Sequence, residues 1–321
     1  PLSTKDGRPT NAVYGMMNIV LRHLEACKPD FAAVAFDLKA PNFRKKRFSY
    51  YKEGRHETPP ELLAQFADAK ECLRLLGFHT LEMEGYEADD ILGTIATHAA
   101  EKGMDCYVVT GDRDALQLID PHVHILLATN TDTIDYTEQV FFDKYGVMPN
   151  QFVDVKALMG DTSDNIPGVK GIGEKTAMAL LHQFGSLDGV YANLEDPSIK
   201  PKQREKLVAD KDNAYLSYDL ATIRPEAPID FAPRDAIVQP YNRPELYKLF
   251  QKLEFVRLID KYGLRSAAFE APKVECKCAS LPRCEELPEE NASCAIYLAE
   301  DGSLGIAWEK GVCALTPMEL Q

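Results

Sequence analysis

Apolar residues recur at helical spacing in some stretches of the chain and in short unbroken runs in others. Val13, Met16, Met17, Val20, Leu21 and Leu24 follow a 3.6-residue period behind Thr10 and Asn11, either of which can cap a helix, and Pro29 follows its end. Phe31 to Phe36 is apolar without alternation, as in a strand buried on both faces of a parallel sheet. Pro59 and Pro60 open an amphipathic helix through Leu62, Leu63, Phe66, Ala69, Leu73 and Leu76, stopped by Gly77. Phe78 to Met83 reads as a strand, and the helix after it turns Ile91, Leu92, Ile95 and Ala99 inward. Cys106–Thr110 and Val123–Ala128 are further buried-type strands, Thr133–Tyr136 a weaker one, and residues 181–260 are mostly helical in pattern. An α/β first part followed by a helical part is the expected architecture.

This pattern places acids at strand ends. Asp37 closes the first apolar run, and Asp112 and Asp114 follow Thr110. In open α/β sheets ligands bind beyond the carboxyl ends of strands. Glu87, Asp89 and Asp90 stand at a helix start, where acids also serve simply to complement the helix dipole. In a fully helical turn Glu87 and Asp90 share a face and Asp89 does not, so joint use of Glu87 and Asp89 requires the helix to begin between or after them.

Between Lys39 and His56 the character changes. Lys39, Arg44, Lys45, Lys46, Arg47, Lys52 and Arg55 face one acid, Glu53, and alternate with Phe43, Phe48, Tyr50 and Tyr51. Cations for phosphates and rings for stacking suit a single-stranded nucleic acid, and a solvated charged loop has the same composition.

The stretch Ala157–Leu180 combines two chemistries. Asp161 and Asp164 are three residues apart, the spacing that shares one face of a helical turn. Gly168, Val169, Lys170, Gly171, Ile172 and Gly173 then lead into a helical run from Glu174 through Lys175 and Thr176. Glycines let backbone N–H groups approach an anion, and a helix N-terminus favours one. Carboxylates for a metal beside a backbone for a phosphate suggest phosphodiester chemistry; an ordinary helix–turn–helix corner with solvated aspartates fits the same residues.

Composition bounds the class. The chain has 321 residues, 45% hydrophobic and 27% charged, and carries no apolar run of about 20 residues. With no signal pattern or lipidation motif, a cytoplasmic location and no membrane contact are expected. Lys and Arg total 36 against 50 Asp and Glu, a net charge of −14, unusual for a nucleic-acid binder unless bound cations offset it. Cys27, Cys72 and Cys106 read as small apolar residues, and Cys276, Cys278, Cys284 and Cys294 lack paired zinc-knuckle spacing. Residues 266–293, with scattered Pro, Glu and Ser, read as a linker, and 294–321 as the start of a β-meander. The first residue is Pro1 rather than Met, as expected of a fragment of a longer chain.

VAFD37 with PNFR44, YEADD90, TGDRD114 and MGDTSDNIPGVKGIGEKTA177 together resemble the 5′-nuclease domain of bacterial DNA polymerases of type I, related to flap endonucleases, over roughly residues 1–265. The resemblance implies an α/β, PIN-like parallel-sheet nuclease core over 1–150 with a basic arch at about 39–58. It implies a helix–three-turn–helix DNA-binding subdomain over 151–265. By this resemblance Asp37, Glu87, Asp89, Asp112, Asp114, Asp161 and Asp164, with Asp90 as an addition, hold two or more Mg²⁺ or Mn²⁺ ions. Arg44 and Lys52 grip the scissile phosphate, and Lys45, Lys46, Arg47, Arg55 and Gly168–Gly173 with Lys175 and Thr176 bind DNA, with K⁺ at the glycine hairpin. The implied substrate is DNA with a 5′ flap or nick, including RNA-primed ends, cut in primer removal and repair by a monomer whose full-length chain also carries a polymerase domain.

Three departures qualify this. Relatives begin with a strand ending in an Asp-Gly pair, which this chain starts after. Residues 294–321 resemble the opening of a ribonuclease-H-like 3′–5′ exonuclease domain, but AIYLAED301 lacks the Asp-x-Glu pattern for metals. No polymerase segment is present. A DNA-binding fragment that cannot cut, for want of the first ligand strand, is therefore the alternative; a PIN-type ribonuclease is disfavoured by the glycine hairpin.

Overall fold

The computed structural model describes residues 2–267 except His56, Asn130, Gln239 and Tyr241, together with 294–298, 304–308 and 311–315. Residues 1–268 form one compact unit and 269–321 another.

In the first unit the elements run α1 (Asn11–Cys27), β1 (Ala33–Ala35), α2 (Phe43–Arg47), α3 (Pro60–Leu63), α4 (Phe66–Leu75), β2 (His79–Leu81), α5 (Ala88–Glu101), β3 (Cys106–Thr110), β4 (Val123–Ala128) and β5 (Thr133–Tyr136). Helices α6 (Glu138–Tyr145), α7 (Phe152–Met159), α8 (Glu174–Phe184), α9 (Leu187–Ala192), α10 (Pro201–Ala209) and α11 (Lys211–Ala221) follow. The unit closes with α12 (Arg243–Lys252), α13 (Val256–Lys261) and α14 (Leu264–Ala267). β1 pairs with β2 in parallel, and β3 with β4 in parallel, while β5 is antiparallel to β4.

The strands bear out a parallel α/β arrangement but not a single sheet buried on both faces. β1–β2 and β3–β4–β5 are separate sheets, and Tyr107 and Val109 on β3 and Phe31 before β1 are exposed. The expected helix from Pro60 to Leu76 is broken at Ala64–Gln65. At the break the Gln65 side chain takes the Glu61 carbonyl, donating to it at 2.9 Å, and its buried oxygen accepts the Ala12 N–H at 2.8 Å. Gln65 thus does for the N-terminus of α1 what Thr10 or Asn11 was expected to do; Thr10 stands at the cap but makes no side-chain capping bond. Leu62, Leu63 and Phe66, expected inward, are exposed as a result.

Two large apolar clusters hold the unit. One joins α5, β3–β5 and α6–α11 around Leu116, Ile125, Tyr136, Phe141, Leu158 and Leu181; the other packs α1 and α4 on α12 and α13 around Met17, Leu73, Phe250 and Phe255. A third, smaller cluster decides where the basic segment sits. Tyr51, only 3% exposed, packs with Val153, Ile166, Leu220 and Ala221. Burying an aromatic ring of this size stabilises by on the order of 4 kcal/mol, whereas an exposed ion pair contributes about 0.2–1 kcal/mol. Tyr51 therefore anchors the segment more than its surface charges do.

Among residues 269–321, β6 (Cys294–Leu298), β7 (Leu304–Trp308) and β8 (Gly311–Leu315) form the expected antiparallel meander. Most of the expected linker, with Cys276, Cys278 and Cys284, lies outside the described residues.

Candidate active site and nucleic-acid interface

The acids gather where β1, β3 and α5 meet. Asp37 leaves β1 and accepts the Ala88 N–H, the first residue of α5, at 2.7 Å. α5 begins between Glu87 and Asp89, the geometry that joint use of the two requires. Asp112 leaves β3 and turns back to accept the Asp114 N–H at 2.9 Å. Asp89 is the electrostatic centre of the group. Burial, then Asp112, Asp37 and Glu87, push its carboxyl up to about 7. Its charge is thus opposed by its neighbours, the condition that a bound cation relieves.

A second group lies on the other side of Asp112. Lys156, on α7, reaches both Asp114 Oδ1 and Asp161 Oδ2 at 2.6 Å. Burial raises the Asp114 pKa and Lys156 draws it back; at Asp161 burial is outweighed by Lys156 and Ser163, which bring it to about 2. Ser163 donates to Asp161 Oδ1 from its N–H at 2.8 Å and its hydroxyl at 2.6 Å.

Asp161 and Asp164 do not share a helical face. Gly160, at φ 72° and ψ −178°, ends α7, and the chain turns back so that Asp161 N–H donates to Ile166 O at 2.9 Å and Ile166 N–H to Asp161 O at 2.8 Å. The turn is closed by glycine on glycine: a Cβ on Gly160 would lie 2.6 Å from Ile166 O, and one on Gly168 would strike the Gly160 backbone. Asp164 consequently faces the basic segment, ion-paired with Arg55, while its backbone carbonyl accepts from Lys52 N–H at 2.8 Å. The Tyr51 hydroxyl lies 3.0 Å from Glu87 Oε2 and 3.2 Å from Asp164 Oδ2.

Lys52 meets its expectation of nearness to the acids. Its ammonium is 2.6 Å from Glu87 Oε1, and its backbone is held at φ 56°, a left-handed conformation uncommon for a long side chain. Arg44 does not. Its side chain is 3% exposed and forks onto Asp90, which is itself wholly buried, with Nη1–Oδ2 at 2.7 Å and Nη2–Oδ1 at 2.8 Å. Both side chains are buried, and Asp90 also accepts the Glu87 N–H at 3.0 Å. Lys45, Lys46 and Arg47 are exposed on α2.

At the glycine hairpin α8 starts at Glu174 after Gly173, as expected, with Val169 and Ile172 buried and Lys170, Gly171, Gly173 and Lys175 exposed. Lys170 N–H donates to Asp210 Oδ2 at 2.9 Å, and Lys206 donates to Gly171 O at 3.0 Å.

Sequence reasoning named Tyr51 only as a ring for stacking and Lys206 only as a basic position, and missed Lys156 and Asn42, whose amide donates to Glu87 Oε1 at 2.8 Å. Lys156 had a visible signal: the one basic residue in a mostly apolar helix, five residues before an aspartate.

Hard carboxylate oxygens suit Mg²⁺ or Mn²⁺, and the raised pKa of Asp89 marks charge that such an ion would neutralise. Among the described residues no group of three or more His, Cys, Asp or Glu side chains is gathered closely enough to hold an ion. Mutual repulsion spreads the acids, and Lys52, Arg55 and Lys156 supply counter-charge to Glu87, Asp164, Asp114 and Asp161. The donor set fits such an ion in chemistry, as hard carboxylate oxygens.

The family model described as the N-terminal resolvase-like domain of 5′-3′ exonucleases matches residues 1–146, and that for their C-terminal SAM fold matches residues 147–244. DNA polymerase I of Caldicellulosiruptor bescii is 43% identical over 267 residues, covering 82% of this chain and 31% of the relative. Thermostable DNA polymerase I of Thermus aquaticus is 41% identical over 274 residues, covering 85% and 31%. The chain thus spans about a third of the length of the curated relatives it matches. In fold it resembles zinc-bound T5 5′-exonuclease, with a TM-score of 0.60 and 23% identity over 78% of this chain and 92% of that one. It also resembles the catalytic core of Rad2 in complex with DNA substrate, with a TM-score of 0.52 and 14% identity over 78% and 81%. No described helix is long and apolar enough to cross a membrane. With the two halves of one family end to end over residues 1–244, on a fold that gathers its acids at the ends of β1 and β3 and the start of α5, the chain belongs to the 5′-3′ exonuclease family.

Proposed function

We propose that this chain is the 5′-nuclease portion of a bacterial DNA polymerase I: a metal-dependent hydrolase that cuts DNA at 5′ flaps and nicks, including RNA-primed ends, in the cytoplasm. The supporting observation is that Asp112, Asp37 and Glu87 all act electrostatically on the buried Asp89 carboxyl, with the Lys52 ammonium against Glu87.

Asp37, Glu87, Asp89 and Asp112 would hold one divalent ion, Mg²⁺ or Mn²⁺, and Asp114 and Asp161 a second, with Asp164 nearby; Asp90 has no part in the set. Such ions, when bound, activate the attacking water and neutralise charge on the departing oxygen. Lys52 offers its ammonium to the phosphate where negative charge grows in the transition state. It is held there by its backbone bond to Asp164 O. Tyr50, 56% exposed, gives the 5′ strand a ring to stack on, and Lys45, Lys46 and Arg47 draw its phosphates.

The turn through Gly168–Gly173 and the start of α8 read as the helix–three-turn–helix element that seats duplex DNA, with Lys170, Lys175 and Thr176 at its mouth. At the glycine hairpin, where the resemblance implies a K⁺ ion, Gly171 O accepts from Lys206, so the tethered ammonium takes part or all of that role. The meander of β6–β8 is consistent with the opening of a ribonuclease-H-like domain, and the polymerase would lie on the same full-length chain.

The spread of the acids favours a second reading, a fragment that binds DNA without cutting it. A 5′-flap substrate separates the two. Cleavage with Mg²⁺ that is lost in Asp112→Asn supports the nuclease; gel-shift binding in EDTA with no cleavage in Mg²⁺ supports the binding module.

A further inference from the structure

The segment leaving α11 is fastened to the acid-bearing part of the molecule by side chains, not by sheet or helix bonds. Leu220 O accepts from Arg44 Nε at 2.9 Å and Thr222 O from Arg44 Nη2 at 2.7 Å. Between them Ala221 O accepts from Gln117 Nε2 at 3.0 Å, and the Ile223 N–H donates to Gln117 Oε1 at 2.9 Å. The Arg224 N–H donates to Asp90 Oδ1 at 2.9 Å, and the Ala227 N–H to Thr94 Oγ1 at 3.0 Å. Ile223 closes over Gly93 of α5, where a Cβ would come within 2.7 Å of its methyl group. Residues 220–227 are thus a strap sewn across α5.

Arg44 joins this strap to the start of α5. A guanidinium has five N–H donors. Here one goes to Leu220 O, one to Thr222 O, one to Glu87 Oε2 at 3.3 Å, and two to Asp90. None remains for a phosphate. Removing one partner from such a buried pair is costly because the other charge is stranded, and the planar fork fixes orientation as well as distance. The Phe43 ring is flanked by both arginines, with the Arg44 guanidinium 4.4 Å and that of Arg224 3.9 Å from its centroid.

We propose that Arg44 is a positioning residue: through Asp90 it sets the start of α5, and so places Glu87 and Asp89 relative to α11 and the elements that seat the duplex. The inference rests on the nuclease reading. Arg44 acts through Asp90 and does not touch the DNA, contrary to the role that the sequence resemblance implies for it.

The test compares the parent chain with Arg44→Lys, Asp90→Asn and the double variant. It reads flap cleavage, duplex binding in EDTA at several salt concentrations, and the Mg²⁺-induced rise in melting temperature. Loss of the fork should lower kcat on the order of 10- to 100-fold while KM stays within about twofold. Affinity in EDTA and its salt dependence should be unchanged, and most of the Mg²⁺ shift should disappear. The double variant should be no slower than the slower single variant, because both break one interaction. Losses that multiply, or a salt slope of binding reduced by about one in a further variant, Arg44→Gln, which removes the charge that Lys would keep, would place Arg44 on a phosphate and overturn the proposal. Should Arg44→Lys fail to fold, Gln117→Ala loosens the same strap from its other side; it should lower kcat with KM unchanged, and an unaltered kcat would overturn the proposal. A parent chain that does not cleave in Mg²⁺ sinks the nuclease reading itself, and the Mg²⁺ melting arm still decides the role of Arg44.

Discussion

The Tyr51 hydroxyl lies 3.2 Å from Asp164 Oδ2, so the basic segment and the turn after α7 are fastened to each other beside the acids. Ring and hydroxyl contribute separately, and their contributions can be separated. Tyr51→Phe keeps the packing and should cost about 1.5–3 kcal/mol, as for a hydrogen bond to a charged group. Tyr51→Ala should cost about 3–5 kcal/mol. Urea unfolding measures both; equal losses would mean that the ring does no anchoring.

The opposed charge at Asp89 makes a prediction for the metal-free protein. Its carboxyl is raised from the usual value of 3.8 to about 7, so the folded state binds a proton that the unfolded state has released. The resulting destabilisation is absent below pH 3.8, grows between there and about 7, and is complete above that. In EDTA, Asp89→Asn should therefore raise the melting temperature at pH 8 and leave it unchanged near pH 4. A gain of the same size at both pH values would mean that Asp89 carries no such strain. Mg²⁺ should reverse the order at pH 8, stabilising the parent chain more than the variant.

Lys206 lies 3.0 Å from the Gly171 carbonyl, where a monovalent cation could also bind. Duplex affinity of the parent chain should change little when K⁺ replaces Na⁺ at constant ionic strength. Lys206→Ala should bind more weakly and become sensitive to K⁺. Equal K⁺ sensitivity in the two proteins would show that the ammonium does not substitute for the ion.

Gly168, at φ +61°, abuts the Gly160 backbone. Gly168→Ala adds backbone strain of about 1–3 kcal/mol to a clash that neither backbone can relieve cheaply, so a loss above about 3 kcal/mol is expected. Gly173 has open space around it, and Gly173→Ala is the control. Chemical denaturation of both variants decides the matter; similar stabilities would mean that the turn relaxes.

Elements whose character is local were legible in the sequence. α1, β3, β4, β5 and the C-terminal meander fall where periodicity and turn residues put them, and α5 begins between Glu87 and Asp89 as the chemistry requires. Features set by partners distant along the chain were not. At the Ala64–Gln65 break the Gln65 side chain caps α1, a contact across 53 residues that no window of sequence contains. The spacing of Asp161 and Asp164 suggested a helical face because three residues is a helical interval, but Gly160 had already ended the helix. Arg44 matched a motif that fixes residue type without fixing direction, and burial beside Asp90 turned its guanidinium inward.

Lys156 sits with its ammonium 2.6 Å from both Asp114 and Asp161. A nuclease whose ions came and went would otherwise face repulsion of about 4 kcal/mol for each pair of acids 4 Å apart at an effective dielectric of 20. The lysine supplies counter-charge to both acids from within the chain, so this half of the acidic cleft is charge-balanced by the fold itself.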